Sequence, residues 1–120
     1  MVQSSFIGAI MSATARPLLR PLLRHVVLFS FKDDASAEQV SSIVAAFGAL
    51  PAAIPGIVSY EWGTNVSPEG LSDGFTHCFT LSFASGEERD AYLVHPEHQR
   101  FVGTLGGCLA RSLVVDYWAG

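Results

Sequence analysis

A proline set inside a helical pattern constrains this chain more than any other residue. In Ala91-Tyr92-Leu93-Val94-His95-Pro96-Glu97-His98-Gln99-Arg100-Phe101, Pro96 has no backbone N–H and drives the residue before it out of helical geometry. One helix must therefore end near His95. A second begins with Pro96 in its first turn, where the missing N–H costs nothing. Beyond the break, His98, Phe101, Val102, Leu105 and Leu109 recur at helical spacing, which puts His98 on an apolar face. An imidazole on such a face is either locked by a hydrogen bond or turned towards a cavity.

The rest of the chain supplies strands for those helices to cover. His25 to Phe31, inside Arg24–Lys32, is a β-branched and aromatic run that marks a first strand. Ser36 and Gln39 have capping-box spacing, and Val40, Ile43, Val44 and Phe47 step along the apolar stripe of a first helix. Pro51, Pro55 and Gly56 are expected to end it. Ile57 to Thr64 is a second strand, with Val58, Tyr60 and Trp62 on one face, and a polar loop follows from Asn65 to Gly74. In Phe75 to Phe83, Phe75, His77, Phe79, Leu81 and Phe83 alternate with Thr76, Cys78, Thr80 and Ser82, the period of a third strand. Ser85 and Glu88 predict a second capping box, and Ser112 to Trp118 a fourth strand.

The order β-α-β-β-α-β, with its second helix split, predicts a ferredoxin-like α+β fold with a four-stranded antiparallel sheet and helices on one face. Both faces carry bulky or neutral groups, so the bare face needs cover. A second copy supplies it, giving an isologous homodimer and a dimeric α+β barrel. A hydrophobic content of 49% with 15% charged residues agrees with extra apolar surface and excludes a disordered chain. The net charge of −4 argues against nucleic acid as a partner. No apolar run reaches membrane-spanning length, so no membrane role is expected. Cys78 and Cys108 have no metal-ligand spacing and make no disulfide framework, so two reduced thiols in a cytoplasmic protein are expected. Residues 1–23 hold Arg16 and Arg20 and no acidic residue, the composition of a transit segment, but Pro17 and Pro21 spoil the amphipathic helix such a segment needs. A flexible arm over 1–23 and one domain over 24–118 are expected.

Five stretches, in order, carry a resemblance to a known family. They are Arg24–Lys32, Trp62–Val66, Gly74–Phe79, Tyr92–His98 and Leu113–Tyr117. On these the chain resembles the stress-responsive A/B-barrel (Dabb) family, whose implied fold, two four-stranded sheets closing a barrel across a dimer axis, agrees with the periodicity. One branch of that family, olivetolic acid cyclase, closes a linear polyketide by intramolecular aldol condensation with a histidine base and an assisting tyrosine. The resemblance puts those roles on His98 and Tyr92, and strand histidines of the pocket on His25 and His77. It also implies a pocket tyrosine on the first helix, where this chain has Phe47. The fold is similar to that of antibiotic-biosynthesis monooxygenases, an analogy of architecture alone.

These residues admit a catalytic and a structural reading. A buried neutral imidazole can remove an acidic C–H proton, and a nearby phenol can donate to the developing enolate oxygen. Alternatively, His98 bonds a backbone carbonyl and Tyr92 fills the helix break. His25 and His77 lie towards opposite ends of the sheet. His95 is expected to cap the first of the two helices at its C-terminus. Pro96 splays His95 and His98 and no third ligand is evident, so no metal site is expected. Gly103, Gly106 and Gly107 fall late in a helix and form no phosphate loop, so no cofactor is expected. Glu61 and Asp116 are lone carboxylates suited to a dimer-rim salt bridge or an inter-strand hydrogen bond. The reading carried forward is a homodimer that binds a small apolar molecule between sheet and helices. Val27, Phe29, Phe47, Phe79, Phe101 and Leu105 form the wall, with His25, His77, Tyr92 and His98 as polar contacts. The alternatives are a cyclase-like enzyme acting on a keto-acyl substrate and a stress-protective oligomer without a ligand.

Overall fold

Alternation of apolar and neutral residues becomes a sheet in the computed structural model, which describes residues 21–120. The arm and its targeting alternative, up to residue 20, lie outside the described residues. Strands β1 (Leu23–Phe31), β2 (Ile57–Thr64), β3 (His77–Phe83) and β4 (Leu109–Trp118) pair antiparallel in the order β2-β3-β1-β4. Helices α1 (Ala37–Gly48), α2 (Leu50–Ala53), α3 (Gly86–Val94) and α4 (Pro96–Val102) complete the chain. This is the ferredoxin-like arrangement that the element order predicts.

The inner face of the sheet is held by stacked aromatic rings. Leu23, His25, Val27 and Phe29 from β1 and Phe79, Leu81 and Phe83 from β3 are all buried. Phe47, delivered by α1, stacks on Phe79 with ring centroids 4.2 Å apart and planes 12° from parallel. Phe101 from α4 meets Phe47 at 4.9 Å, so one ring ties two helices to the sheet. Each such side chain contributes about 1.5–3 kcal/mol by leaving water.

Local signals fix most helix ends. Ser36 Oγ accepts from the Gln39 N–H at 3.0 Å, and the Gln39 side chain accepts from the Ser36 N–H at 2.8 Å, a full capping box. At α3 only half of the expected box forms. Ser85 Oγ accepts from the Glu88 N–H at 3.1 Å, but the Glu88 carboxylate turns instead to Gly56. A Cβ at Gly56 would come within 3.0 Å of that carboxylate, and its φ of 99° is one that favours glycine. Pro51, expected to stop α1, instead opens the short α2, where its missing N–H is harmless. A bulge between Ile57 and Ser59 puts Ile57 inside and leaves Val58 exposed, off the face expected for it. The Pro96 break is present, but His95 serves the other side of it. Its Nδ1 accepts from the Glu97 N–H at 3.0 Å and caps the start of α4.

On the outer face, Leu113, Val115 and Tyr117 of β4 are each about half exposed. Cys78 and Cys108 are free thiols, the second buried. Phe79→Ala should lower unfolding free energy by about 3–5 kcal/mol, the cost of a cavity beneath a stacked ring. Urea denaturation measures this, and a loss below about 1 kcal/mol would mean that the stack does not hold the core.

Candidate functional site

The site begins with a carbonyl that the proline leaves without a helical partner. Leu93 C=O would accept from the N–H of residue 97 in an unbroken helix. That N–H goes to the His95 ring instead. The Leu93 oxygen is met by His98 Nδ1 at 3.0 Å and by Gln99 Nε2 at 2.8 Å. A carbonyl only accepts, so His98 carries its hydrogen on Nδ1 and the lone pair of the neutral ring sits on Nε2. The backbone bond expected of a structural His98 therefore exists, and it orients the ring.

His98 lines a cavity of about 610 Å³ between sheet and helices. Its apolar wall includes Val27, Phe29, Phe47, Phe101 and Leu105, with Val114 from β4 on the open side. His25 enters the same cavity from β1. Tyr92 and Phe79 do not reach the wall. Tyr92 is almost wholly buried beneath it, 4.6 Å from His98 and 5.8 Å from His25 between ring centroids, and Phe79 lies behind Phe47. His77 is elsewhere. β1 and β3 run antiparallel, with His25 opposite Leu81 and His77 opposite Phe29. Four residues of strand separate them, about 13 Å. His77 lies parallel to Trp62, at 6.1 Å, and lines a separate cavity of about 520 Å³ beneath the loop between β2 and β3.

Burial governs the ionisation of these groups. It lowers the pKa of His98, the Leu93 carbonyl pulls the other way more weakly, and His25 adds a small push downward. Burial also lowers His77. The Tyr92 hydroxyl is driven well up, first by burial and then by Tyr60, so Tyr92 stays a neutral phenol. The Tyr60 hydroxyl is buried without a hydrogen-bond partner among the described residues. Its ring lies 5.8 Å from Phe47, the position where the family resemblance implies a tyrosine.

Asp116 makes the inter-strand hydrogen bond expected of it, and Arg89 is a site residue that reasoning along the chain missed. Asp116 Oδ1 lies 2.7 Å from His25 Nδ1, and Oδ2 accepts from Arg89 at 2.6 Å. The period of β4 places Ser112, Val114 and Asp116 on one face, but only the pairing of His25 with Asp116 across β1 and β4 shows which imidazole the carboxylate meets. Among the described residues no three His, Cys, Asp or Glu side chains converge as a metal would need, and no helix is long and apolar enough to cross a membrane.

The family described as the stress responsive A/B barrel domain, Dabb, matches residues 23–119. The chain is 37% identical over 95 residues to the stress-response A/B barrel domain-containing protein HS1 of Arabidopsis thaliana, covering 79% of this chain and 87% of that one. It is 26% identical over 95 residues to olivetolic acid cyclase of Cannabis sativa, covering 79% and 94%. Among solved structures, the hydroxynitrile lyase from Passiflora edulis superposes with a TM-score of 0.79 at 26% identity, covering 85% of this chain and 96% of that one. A dimeric ferredoxin-like protein of Thermobifida fusca superposes with a TM-score of 0.70 at 27% identity, covering 83% and 92%.

The sign of the His98 shift gives a pH dependence. A folded-state pKa held below the unfolded value means that the unfolded chain takes up the proton first. The stability from His98 is thus complete above the unfolded value and is lost as pH falls through the folded one; His77 acts in the same sense. NMR titration should find the His98 midpoint below that of a free histidine, and His98→Gln should flatten the acid limb of the stability curve. A His98 midpoint at or above the free value contradicts this.

Proposed function

The chain belongs to the stress-responsive A/B barrel family, and we propose that it acts as a homodimer binding a small, mostly apolar molecule in the cavity between sheet and helices. The observation that carries this reading is the cavity itself: an apolar wall of Val27, Phe29, Phe47, Phe101 and Leu105 onto which His25 and His98 converge. A packed interior with both imidazoles satisfied by backbone would have favoured a stress-protective oligomer without a ligand. The working unit is the domain of residues 24–118. The net charge of −4 disfavours nucleic acid as a partner. Two free thiols suit a reducing compartment such as the cytoplasm.

Support for the dimer comes from the outer sheet face. Leu113, Val115 and Tyr117 expose apolar surface in a row on β4, and the superposable Thermobifida fusca protein is dimeric. Two such faces in contact would close a barrel and remove that surface from water.

A second reading is a cyclase-like enzyme on a keto-acyl substrate, with His98 as base and Tyr92 assisting. The Nδ1 bond that leaves the lone pair on His98 Nε2, and the 4.6 Å spacing of the two rings, favour it. The position of Tyr92 beneath the wall makes ligand binding the primary reading.

Mass spectrometry of small molecules that copurify with the protein tests the ligand. Wild type should carry an apolar compound that His98→Ala loses or retains at less than about a tenth, the effect of roughly 1.4 kcal/mol. Identical extracts from the two would remove the ligand reading. Light scattering tests the assembly: wild type should run as a dimer and Val115→Asp as a monomer. A monomeric wild type would overturn the dimer.

A further inference from the structure

The polar groups that line the cavity limit the chemistry of its guest. His25 Nδ1 stands 2.7 Å from Asp116 Oδ1, and a carboxylate only accepts, so Nδ1 donates and the neutral ring keeps its lone pair on Nε2. His98 gives its Nδ1 hydrogen to the Leu93 carbonyl, which leaves Nε2 as an acceptor there too. Two imidazoles line one cavity, and the nitrogen each has to spare accepts. Arg89 is the one lysine or arginine among the described residues of that lining. Its guanidinium is already engaged: one N–H donates to Asp116 Oδ2 at 2.6 Å, and Nε donates to Asp90 Oδ1 at 2.7 Å. Two carboxylates against one guanidinium make this end net negative. The Asp90 side chain is 69% exposed, so the same end is also the wet one. The wall carries the rings of Phe29, Phe47 and Phe101, and the face of such a ring attracts a cation.

We propose that the guest of this cavity is a small apolar amine, bound as its ammonium, with the nitrogen among His25, His98 and Asp90 and the hydrocarbon against the phenylalanine wall. This rests on the cavity being a ligand site. A carboxylic acid would bring an anion to a negative end and find no hydrogen on either Nε2. An alcohol can donate to an imidazole but leaves the excess negative charge unanswered. An ammonium carries three donors and the missing sign of charge. Burying an ammonium is costly unless it is paired and hydrogen-bonded. Here the charge stays at the wet end beside Asp90, and only the hydrocarbon goes inward. Asp116 and Arg89 hold the arrangement in place: the first fixes the tautomer of His25, and the second ties Asp116 to Asp90.

Titration of the full chain with phenethylamine, phenethyl alcohol and phenylacetate, which differ only at the polar end, tests this by amide NMR shifts at Phe101 and Val114. At about pH 8 the amine is charged, and burial keeps His98 neutral. The amine should bind at least about tenfold more tightly than the alcohol, the worth of one charge-assisted hydrogen bond, and the acid should bind least. His98→Leu removes one acceptor while Gln99 still bonds the Leu93 carbonyl. It should cut the advantage of the amine over the alcohol at least about threefold. Asp90→Asn keeps an oxygen for Arg89 Nε and removes the charge. It should cut that advantage at least about twofold, as expected of a charge near water. An unchanged advantage in either variant, or an alcohol or acid that binds as tightly as the amine, overturns this proposal and leaves the ligand reading standing. Should His98→Leu fail to fold, Asp90→Asn decides alone. Absence of shifts with every probe overturns the ligand reading and this proposal together.

Discussion

One unpaired backbone oxygen organises the site. Pro96 removes an N–H from the ladder, the His95 ring captures the next one, and Leu93 C=O is left to find partners among side chains. A buried carbonyl without a partner costs about 1–3 kcal/mol, so the demand is strong. His98 and Gln99, the first residues that can reach back, answer it. The same break that turns the chain therefore also chooses the tautomer of His98 and the direction of its free nitrogen. A continuous helix through residue 102 would satisfy Leu93 internally and leave the imidazole free to rotate.

The cavity exists because cover runs out. Helix α3 packs on β1, β2 and β3, and the Phe47–Phe79 stack fills the space between α1 and the sheet. Strand β4 lies at the edge, where α3 reaches it through Arg89 and Asp116, and Val114 stays half exposed on the helix side. The open strip between β4 and α4 is the mouth of the pocket. Charged groups gather there and nowhere deeper, since only at the mouth can Asp116, Arg89 and Asp90 keep contact with water.

What the chain discloses by itself falls off with sequence distance. The Ser36 and Gln39 cap, the Pro96 break and the alternation of β3 depend on neighbours within four residues, and all were legible. The bulge that expels Val58 was not, because it reflects register against β3, which local pattern does not encode. Tyr92 and His98 were legible as neighbours, six positions apart across the kink, but their depths were not. Whether a phenol reaches the wall or stops beneath it depends on how Phe47, Tyr60 and Phe83 pack. His25 and His77 read alike as strand histidines, and antiparallel pairing then sends them to different cavities. An inter-strand bond of Asp116 was legible but its partner was not: it meets His25 across 91 positions of sequence, and no spacing rule joins two strands so far apart.

Strand β4 has two working sides. Ser112, Val114 and Asp116 look into the pocket, while Leu113, Val115 and Tyr117 look out, and a strand is too stiff to move one row without the other. On the proposed reading, a guest that tightened the inner row would also settle the outer one. Whatever occupied either side first would spare the second arrival part of the ordering cost, so occupancy and assembly would become reciprocal influences transmitted through the thickness of a single strand.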